Sequence, residues 1–231
     1  MNVASKTFGA LARGIFILSL PLLLLSASIA IAINSRPLYE YGFERYGVSQ
    51  TTDLSPAQLD SVTRQLIGYF NSSDEPIAIM VVRDGQEVPL FKQKEVSHLA
   101  DVKKLIQLDY FVLLGTMVFA AGYAFVSWTR RRKELALSAI TGSGLSLALL
   151  LGLGLMASLN FDQFFWQFHL IAFSNDFWQL DPATDYLIRL FPEPFWSDAT
   201  LFVGLLTAIG ALAVGVAGWL YLKSQRQSSP G

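Results

Sequence analysis

Residues 108–159 read LDYFVLLGTMVFAAGYAFVSWTRRRKELALSAITGSGLSLALLLGLGLMASL. Two apolar runs, Leu108 to Trp128 and Leu135 to Leu159, are parted only by Thr129, the basic cluster Arg130-Arg131-Arg132-Lys133 and Glu134. Each run reaches the roughly 20 residues that, at about 1.5 Å per residue, cross ~30 Å of hydrocarbon. Hydrocarbon offers no partner to backbone N–H and C=O groups, so both runs must be helical.

Two further runs of the same kind lie outside this stretch, Leu11 to Ile33 and Ala199 to Leu222. Of the 231 residues, 52% are hydrophobic and only 15% charged, where soluble chains carry about 25% charged residues. The expected fold is therefore an all-α membrane protein with four transmembrane helices, a small extracytoplasmic α(+β) cap and interfacial aromatic helices. The expected organisation is a first helix in 1–33, an outer segment 34–107, a second helix in 108–128, and a third in 135–159. An aromatic segment follows in 160–198, then a fourth helix in 199–222 and a tail in 223–231. The first run follows Lys6 and Arg13 and passes small residues at Ser26 to Ala30. It continues beyond the ~7–15 residues of a signal-peptide core, so it reads as an uncleaved anchor.

Charge sets the orientation. Lys6, Arg13, Arg130 to Lys133, Lys223 and Arg226 fall on one side with a single acid, Glu134. The remaining basic residues fall on the other side among the remaining acids. The basic-rich side is cytoplasmic by the positive-inside rule, so both termini face the cytoplasm and segments 34–107 and 160–198 face outward. Neither outer segment has the basic surplus that nucleic acid requires. The chain has no cysteine, which removes disulfides, a thiolate nucleophile and a Cys-ligated metal.

The outer segments carry local order. Ser55 caps a helix with Pro56 at its first position and Gln58 three residues on; Leu59, Val62, Leu66, Ile67 and Phe70 continue it at helical spacing, and Asn71 to Asp74 stop it. Ile77 to Val82, Asp84-Gly85 and Val88 to Phe91 predict a small hairpin. A helix entering the second span is expected to run unbroken from His98. In the aromatic segment, Phe161, Phe164, Phe165, Trp166, Phe168, Phe173, Phe177 and Trp178 surround His169 and predict a helix lying in the membrane interface. Asp181-Pro182 signals a second short helix. In the third span, Gly142, Ser143, Gly144, Gly152, Gly154 and Ala157 predict close helix packing. Residues 224–231 are expected to be disordered.

His98 and His169 are the only histidines, and both fall where a span meets water on the same side. Imidazole is the side chain whose ordinary pKa permits proton traffic near neutrality. His98 and Asp101 share a helix face at i, i+3, a base–orienter arrangement suited to acyl transfer. Each feature also has an ordinary explanation: Ser97 as a cap with His98 on an exposed first turn, and His169 as an interfacial anchor. Asp109, Asp162, Asn175, Asp176, Asp185 and Glu193 lie on the same expected side. Ionisable groups at a membrane are functional candidates by default. Two histidines and a carboxylate could bind a metal, but no His-x-x-His spacing supports one, and neither a metal nor another cofactor is expected. Neither a phosphate-cradling loop nor a Gly-x-Ser-x-Gly elbow is present. Lys103 and Lys104 read as solvated juxtamembrane lysines, with anionic headgroups or a substrate carboxylate as alternative partners.

The pattern Phe91-x-x-x-Glu95-x-x-His98-x-x-Asp101-Val102, then Phe165-x-x-Phe168-His169-x-x-x-Phe173-x-Asn175-Asp176-x-Trp178, Asp185-x-Leu187-Ile188 and Phe191-Pro192-Glu193-x-Phe195, carries a resemblance. It resembles a bacterial family of four-span integral membrane proteins that includes the lipoprotein intramolecular transacylases. Ala172 and Ser174 stand where bulkier aromatics are expected. The resemblance implies transfer of the sn-2 acyl chain of a diacylglyceryl-cysteine lipoprotein to that cysteine's own α-amino group. It implies His98, His169 and Asp101 as catalytic residues. Asn175, Asp176, Glu193, Trp166 and Phe165 would bind substrate. Diacylglyceryl lipoproteins and membrane lipid are the implied partners, and the bacterial cytoplasmic membrane is the implied location, with the active face outside. His98 is the expected base, with His169 at the oxyanion or the leaving glycerol oxygen. The rival expectation is a non-enzymatic membrane scaffold, which would tolerate loss of His98. The topology is tested with reporters: one fused after Gly231 is expected in the cytoplasm and one inserted at Asp84-Gly85 outside. Cytoplasmic signal from the 84–85 insertion would put His98 at the wrong leaflet.

Overall fold

The computed structural model describes residues 3–83 and 85–227, with side chains from residue 7 onward. Asp84 of the expected hairpin turn, the Lys6 side chain and residues 228–231 lie outside the described residues. The elements run α1 (Val3–Ile33), α2 (Arg36–Arg45), α3 (Val48–Thr52), α4 (Pro56–Phe70), β1 (Met80–Arg83), β2 (Gln86–Pro89), α5 (Gln93–Arg130), α6 (Arg132–Leu159), α7 (Phe161–Ala172), α8 (Tyr186–Leu190) and α9 (Glu193–Gln227). Four helices are long and apolar enough to cross a membrane: Thr7–Ile33, α5, α6 and α9. Their outward faces are greasy, as with Phe111, Val118 and Phe125 on α5 and Leu201, Ile209 and Leu212 on α9. Water would penalise such a surface; lipid does not. The chain is a multi-pass membrane protein.

Contacts divide the described chain into two units. The first comprises α1 to Ile29, Asp109–Leu155 and α9 from Phe202. Here backbones approach closely where side chains are absent. A Cβ on Gly142 of α6 would meet Leu20 of α1 at 2.9 Å and the Ile17 carbonyl at 3.3 Å, and one on Gly218 of α9 would meet the Ala136 carbonyl at 2.9 Å. Phe16 stacks on Tyr123 at 4.5 Å, and Thr207 Oγ1 donates to Ser28 Oγ at 2.9 Å. The small residues of the third span are only partly used for packing. Gly142 is a contact and Ser143 is buried, whereas a Cβ on Gly144, Gly152 or Gly154 would meet nothing within 4 Å.

The second unit comprises Ala30–Leu108 and Met156–Leu201. Its α4 starts on the expected capping box: Ser55 Oγ accepts from Gln58 N, and Gln58 Oε1 accepts from Ser55 N at 3.0 Å. The apolar stripe of α4 buries Leu59, Val62, Leu66 and Phe70. Strands β1 and β2 pair antiparallel with Val81 opposite Val88, forming the expected hairpin. Helices α2 and α3 were not anticipated: the buried face of α2 is only Tyr39, Gly42 and Phe43, and α3 is five residues long. What holds α2 is tertiary. Tyr46 and Tyr41 donate their hydroxyls to Asp198 on the first turns of α9 at 2.6 and 2.9 Å. Gly42 lies against the Phe195 ring so closely that a Cβ would stand 2.4 Å from it.

Three boundaries depart from the sequence reading. The short helix expected from Asp181 begins instead at Tyr186; Asp181 and Asp185 spend their carboxylates on the intervening turn, where Asp185 accepts from Asp181 N and Asp181 from Ala183 N. Helix α9 begins at Glu193, six residues before the apolar run, because Glu193-Pro194 suits a first turn that needs no internal N–H partner. Residues 224–227 of the expected disordered tail are helical, continuing α9 to Gln227.

Candidate active site

Helix α5 begins earlier than Ser97. The Glu95 carboxylate reaches back to accept from Lys92 N at 2.9 Å, the geometry of an N3 acid closing a first turn. His98 is therefore the sixth residue of α5 and sits in its second turn. It is buried, only 7% exposed, which corrects the expectation of an exposed first-turn residue. Glu95 itself is wholly buried, and its second oxygen accepts from Leu187 N at 2.6 Å. Lys92 in turn pairs with Asp185 at 3.0 Å. These contacts fasten the start of α5 to α8.

Helix α7 is capped by Asn160, whose side chain accepts from Gln163 N at 2.9 Å. Its residues Trp166, Phe168, Leu170 and Ile171 are exposed while His169 is buried. The polar imidazole is thus turned inward and the apolar surface outward, the reverse of a water-facing helix. The His169 ring lies 6.0 Å from the His98 ring, centroid to centroid, at 33°. The structure brings the two histidines together from points 71 residues apart in sequence.

Aromatic rings enclose the pair. Phe173 meets His98 edge-on at 5.0 Å, Phe165 meets His169 edge-on at 4.3 Å, and Trp178 covers His169 at 4.9 Å. Trp166 supports Trp178 at 4.7 Å. His169 Nδ1 lies 2.8 Å from the Phe165 carbonyl. A carbonyl only accepts, so this nitrogen carries the hydrogen and Nε2 keeps its lone pair. Burial holds the His169 pKa below the usual imidazole value, against a smaller opposing effect of the Phe165 hydrogen bond. His98 Nδ1 is buried without a hydrogen-bond partner among the described residues.

Asp101 makes no hydrogen bond to His98 among the described residues. One of its oxygens accepts from Asn175 Nδ2 at 2.8 Å and the other from Lys104 Nζ at 3.1 Å. Asn175 Oδ1 also accepts from Phe177 N at 3.0 Å. Asp101 and Asn175 thus form a clasp that holds the loop bearing Phe173 and Trp178 onto α5. The acid at i+3 is taken by a partner 74 residues away, which helix spacing could not reveal. Asp176 accepts from Gln179 within its own turn. The Glu193 carboxyl lies beside that of Asp162. Among the described residues, neither Asp176 nor Glu193 hydrogen-bonds to an imidazole. Lys103 is not solvated: it is 1% exposed, donates to the Asp74 carbonyl and lies 4.1 Å over the Tyr69 ring. Phe173 and Trp178 were legible in the sequence as members of the aromatic segment around His169, and Glu95 as a member of the motif. The signal for Glu95 is an acid three residues after Lys92, where α5 is capped.

Comparison with known proteins supplies a context. The family model described as lipoprotein intramolecular transacylase Lit matches residues 14–196, more than half of the chain. The solved structure of the membrane integral lipoprotein intramolecular transacylase Lit from Bacillus cereus superposes with a TM-score of 0.85 at 19% identity, covering 96% of this chain and all of that one. Two variants of the same protein, with a histidine replaced by arginine or alanine, each give 0.79 at 18% identity, covering 97% of this chain and 96% and 98% of theirs. At these identities the likeness is one of fold. An uncharacterised protein of Aquifex aeolicus (strain VF5) is 32% identical over 139 residues, 58% of this chain. The match spans 61% of that relative's length.

Two histidines give two imidazole signals in proton or carbon NMR, and His98→Gln leaves one. The His169 signal is expected to titrate below the ordinary value of about 6.5, so that the ring is neutral at pH 7. A midpoint at or above that value would contradict the buried, pinned ring described above.

Proposed function

The chain belongs to the lipoprotein intramolecular transacylase family, and from that premise we propose that it is a membrane-embedded acyltransferase acting on diacylglyceryl lipoproteins. It moves the sn-2 acyl chain of the diacylglyceryl-cysteine to the cysteine's own α-amino group and leaves a lyso-form lipoprotein. The single observation that carries this reading is the buried pair of imidazoles 6.0 Å apart, one of them with a fixed tautomer.

The reaction exchanges an ester C–O bond for an amide C–N bond. The amine nitrogen attacks the ester carbonyl carbon, and the glycerol oxygen leaves. The starting ammonium gives up two protons: one ends on the glycerol oxygen and one passes to solvent. The step needs a base for the amine and a donor for the oxyanion and the leaving oxygen. It needs no nucleophile from the protein, which agrees with a chain that has no cysteine and no serine elbow.

His169 suits the base. Its Nδ1–H is held by the Phe165 carbonyl, so Nε2 is the accepting nitrogen, and its lowered pKa keeps that lone pair free at neutral pH. His98 is left for the donor, since its Nδ1 has no hydrogen-bond partner among the described residues and is available to the substrate. This reverses the roles assigned from the sequence, where His98 was expected to be the base. Asp101 and Asn175 act as positioning residues that seat the Phe173–Trp178 loop. Phe165 and Trp166 supply an apolar wall for the acyl chain, and the exposed apolar surface of α7 lies in the outer membrane interface. Asp176 and Glu193 belong to the rim at which the lipoprotein backbone enters. The site faces outward, and both chain ends lie in the cytoplasm, as the distribution of Lys and Arg supports.

The test is mass spectrometry of a diacylglyceryl lipoprotein from cells expressing each variant at matched levels. His98→Ala and His169→Ala are each expected to lower the conversion rate by ~10²–10⁴, the usual effect of losing a general acid or base. Asp101→Asn, which keeps an acceptor for Asn175, is expected to lose far less. Both variants truncate buried rings, so membrane insertion and thermal unfolding are measured alongside. Full conversion by a folded His98→Ala protein would remove the catalytic reading and leave the scaffold.

A further inference from the structure

A second feature lies in the membrane-spanning unit. Near Gly218 and Ala136, α9 and α6 come as close as two helices can: a Cβ on Gly218 would meet the Ala136 carbonyl at 2.9 Å. One turn toward the basic end of the spans the helices leave a cleft of about 450 Å³, lined by Lys133 and Leu137 of α6 and Leu222, Gln225 and Arg226 of α9. Its chemistry is graded along the helix axes. Lys133 and Leu137 are i and i+4 on α6, and Leu222 and Arg226 are i and i+4 on α9. On both walls the cation stands at the end of the span and the leucine one turn further in. Among the described residues, no carboxylate lines the cleft.

We propose that this cleft binds the headgroup of an anionic phospholipid. Lys133 and Arg226 would hold the phosphodiester from two sides, and Gln225 would face the glycerol. The first methylenes of an acyl chain would lie against Leu137 and Leu222. A soluble phosphate would use only the outer half of the cleft. The charged-to-apolar gradient on both helices matches an amphiphile that enters from the surrounding leaflet. Juxtamembrane cations attract anionic lipid in general. What distinguishes this place is an open groove between two helices, with an exposed cation on each wall and a leucine one turn further in. The occupant is independent of the lipoprotein substrate.

The experiment is a lipid titration of the purified full chain in mixed micelles, read by native mass spectrometry, with phosphatidylglycerol and phosphatidylcholine as probes. Wild-type protein is expected to retain one phosphatidylglycerol in preference to phosphatidylcholine. The K133Q/R226Q variant is expected to bind it at least about tenfold more weakly, the effect of removing two cations beside one phosphate. The R132Q/K223Q variant removes the same charge outside the cleft, where Arg132 lies over Trp128 and Lys223 over Trp219, and is expected to bind nearly as wild type. Equal losses in the two variants, or no preference in wild type, would overturn the site. Displacement of the lipid by glycerol phosphate at equal concentration would overturn the lipid as its occupant.

Discussion

The carboxylate of Glu95 is wholly removed from water, and a buried charge is tolerated only when its lone pairs are answered. Backbone N–H groups of Lys92 and Leu187 answer them. Bonds to a charged acceptor contribute about 1.5–3 kcal/mol each, and losing one would strand the charge. The first bond fixes where α5 begins, and hence which way each residue of its first turns points. The second brings α8 against that start. From these two contacts follow the inward direction of His98, the placement of Asp101 one turn on, and the burial of Leu187 and Leu190 beneath.

On that frame the histidine pair is a consequence of two opposite helix habits. Helix α5 is anchored by a buried acid and presents His98 inward. Helix α7 turns its apolar residues outward, so its one imidazole has only the interior to face. Each ring then loses water and gains aromatic neighbours, and for His169 this favours the neutral form. For His169, the Phe165 carbonyl selects the tautomer. Under the proposed reaction, a neutral imidazole with a free Nε2 among aromatic rings suits deprotonation of an amine next to a lipid ester. The clasp between Asp101 and Asn175 shuts the loop over this space without spending the acid on either ring.

Much of this was legible in the chain. Four spans declare themselves because a membrane imposes a length and a composition that are local properties. The Ser55 capping box and the hairpin of Val81 and Val88 likewise depend on neighbours within a few residues. The convergence of His98 and His169 was legible from their shared place at the ends of spans. The rest depends on distant partners. Lys103 reads as a solvated lysine until Tyr69 and the Asp74 carbonyl are brought against it. Asp101 reads as an orienter of His98 until Asn175 takes its oxygen. Helix α2 has only a short stripe, Tyr39, Gly42 and Phe43, and is held where Phe191, Phe195 and Asp198 meet it. The third span shows the opposite failure: its glycines promise packing along their whole length, and only some of them are used.

The account stands on the two imidazoles acting as one unit, so the most direct test is a double-mutant cycle on the rate of lyso-form production by purified protein in a bilayer. Groups that serve one step together are strongly non-additive. The account predicts that His98→Ala, His169→Ala and the double variant, all folded, fall to similar residual rates, since removing the second ring costs little once the first is gone. Losses that multiply, with the double variant slower by the product of the two single effects, would mean that the rings act independently and would contradict it.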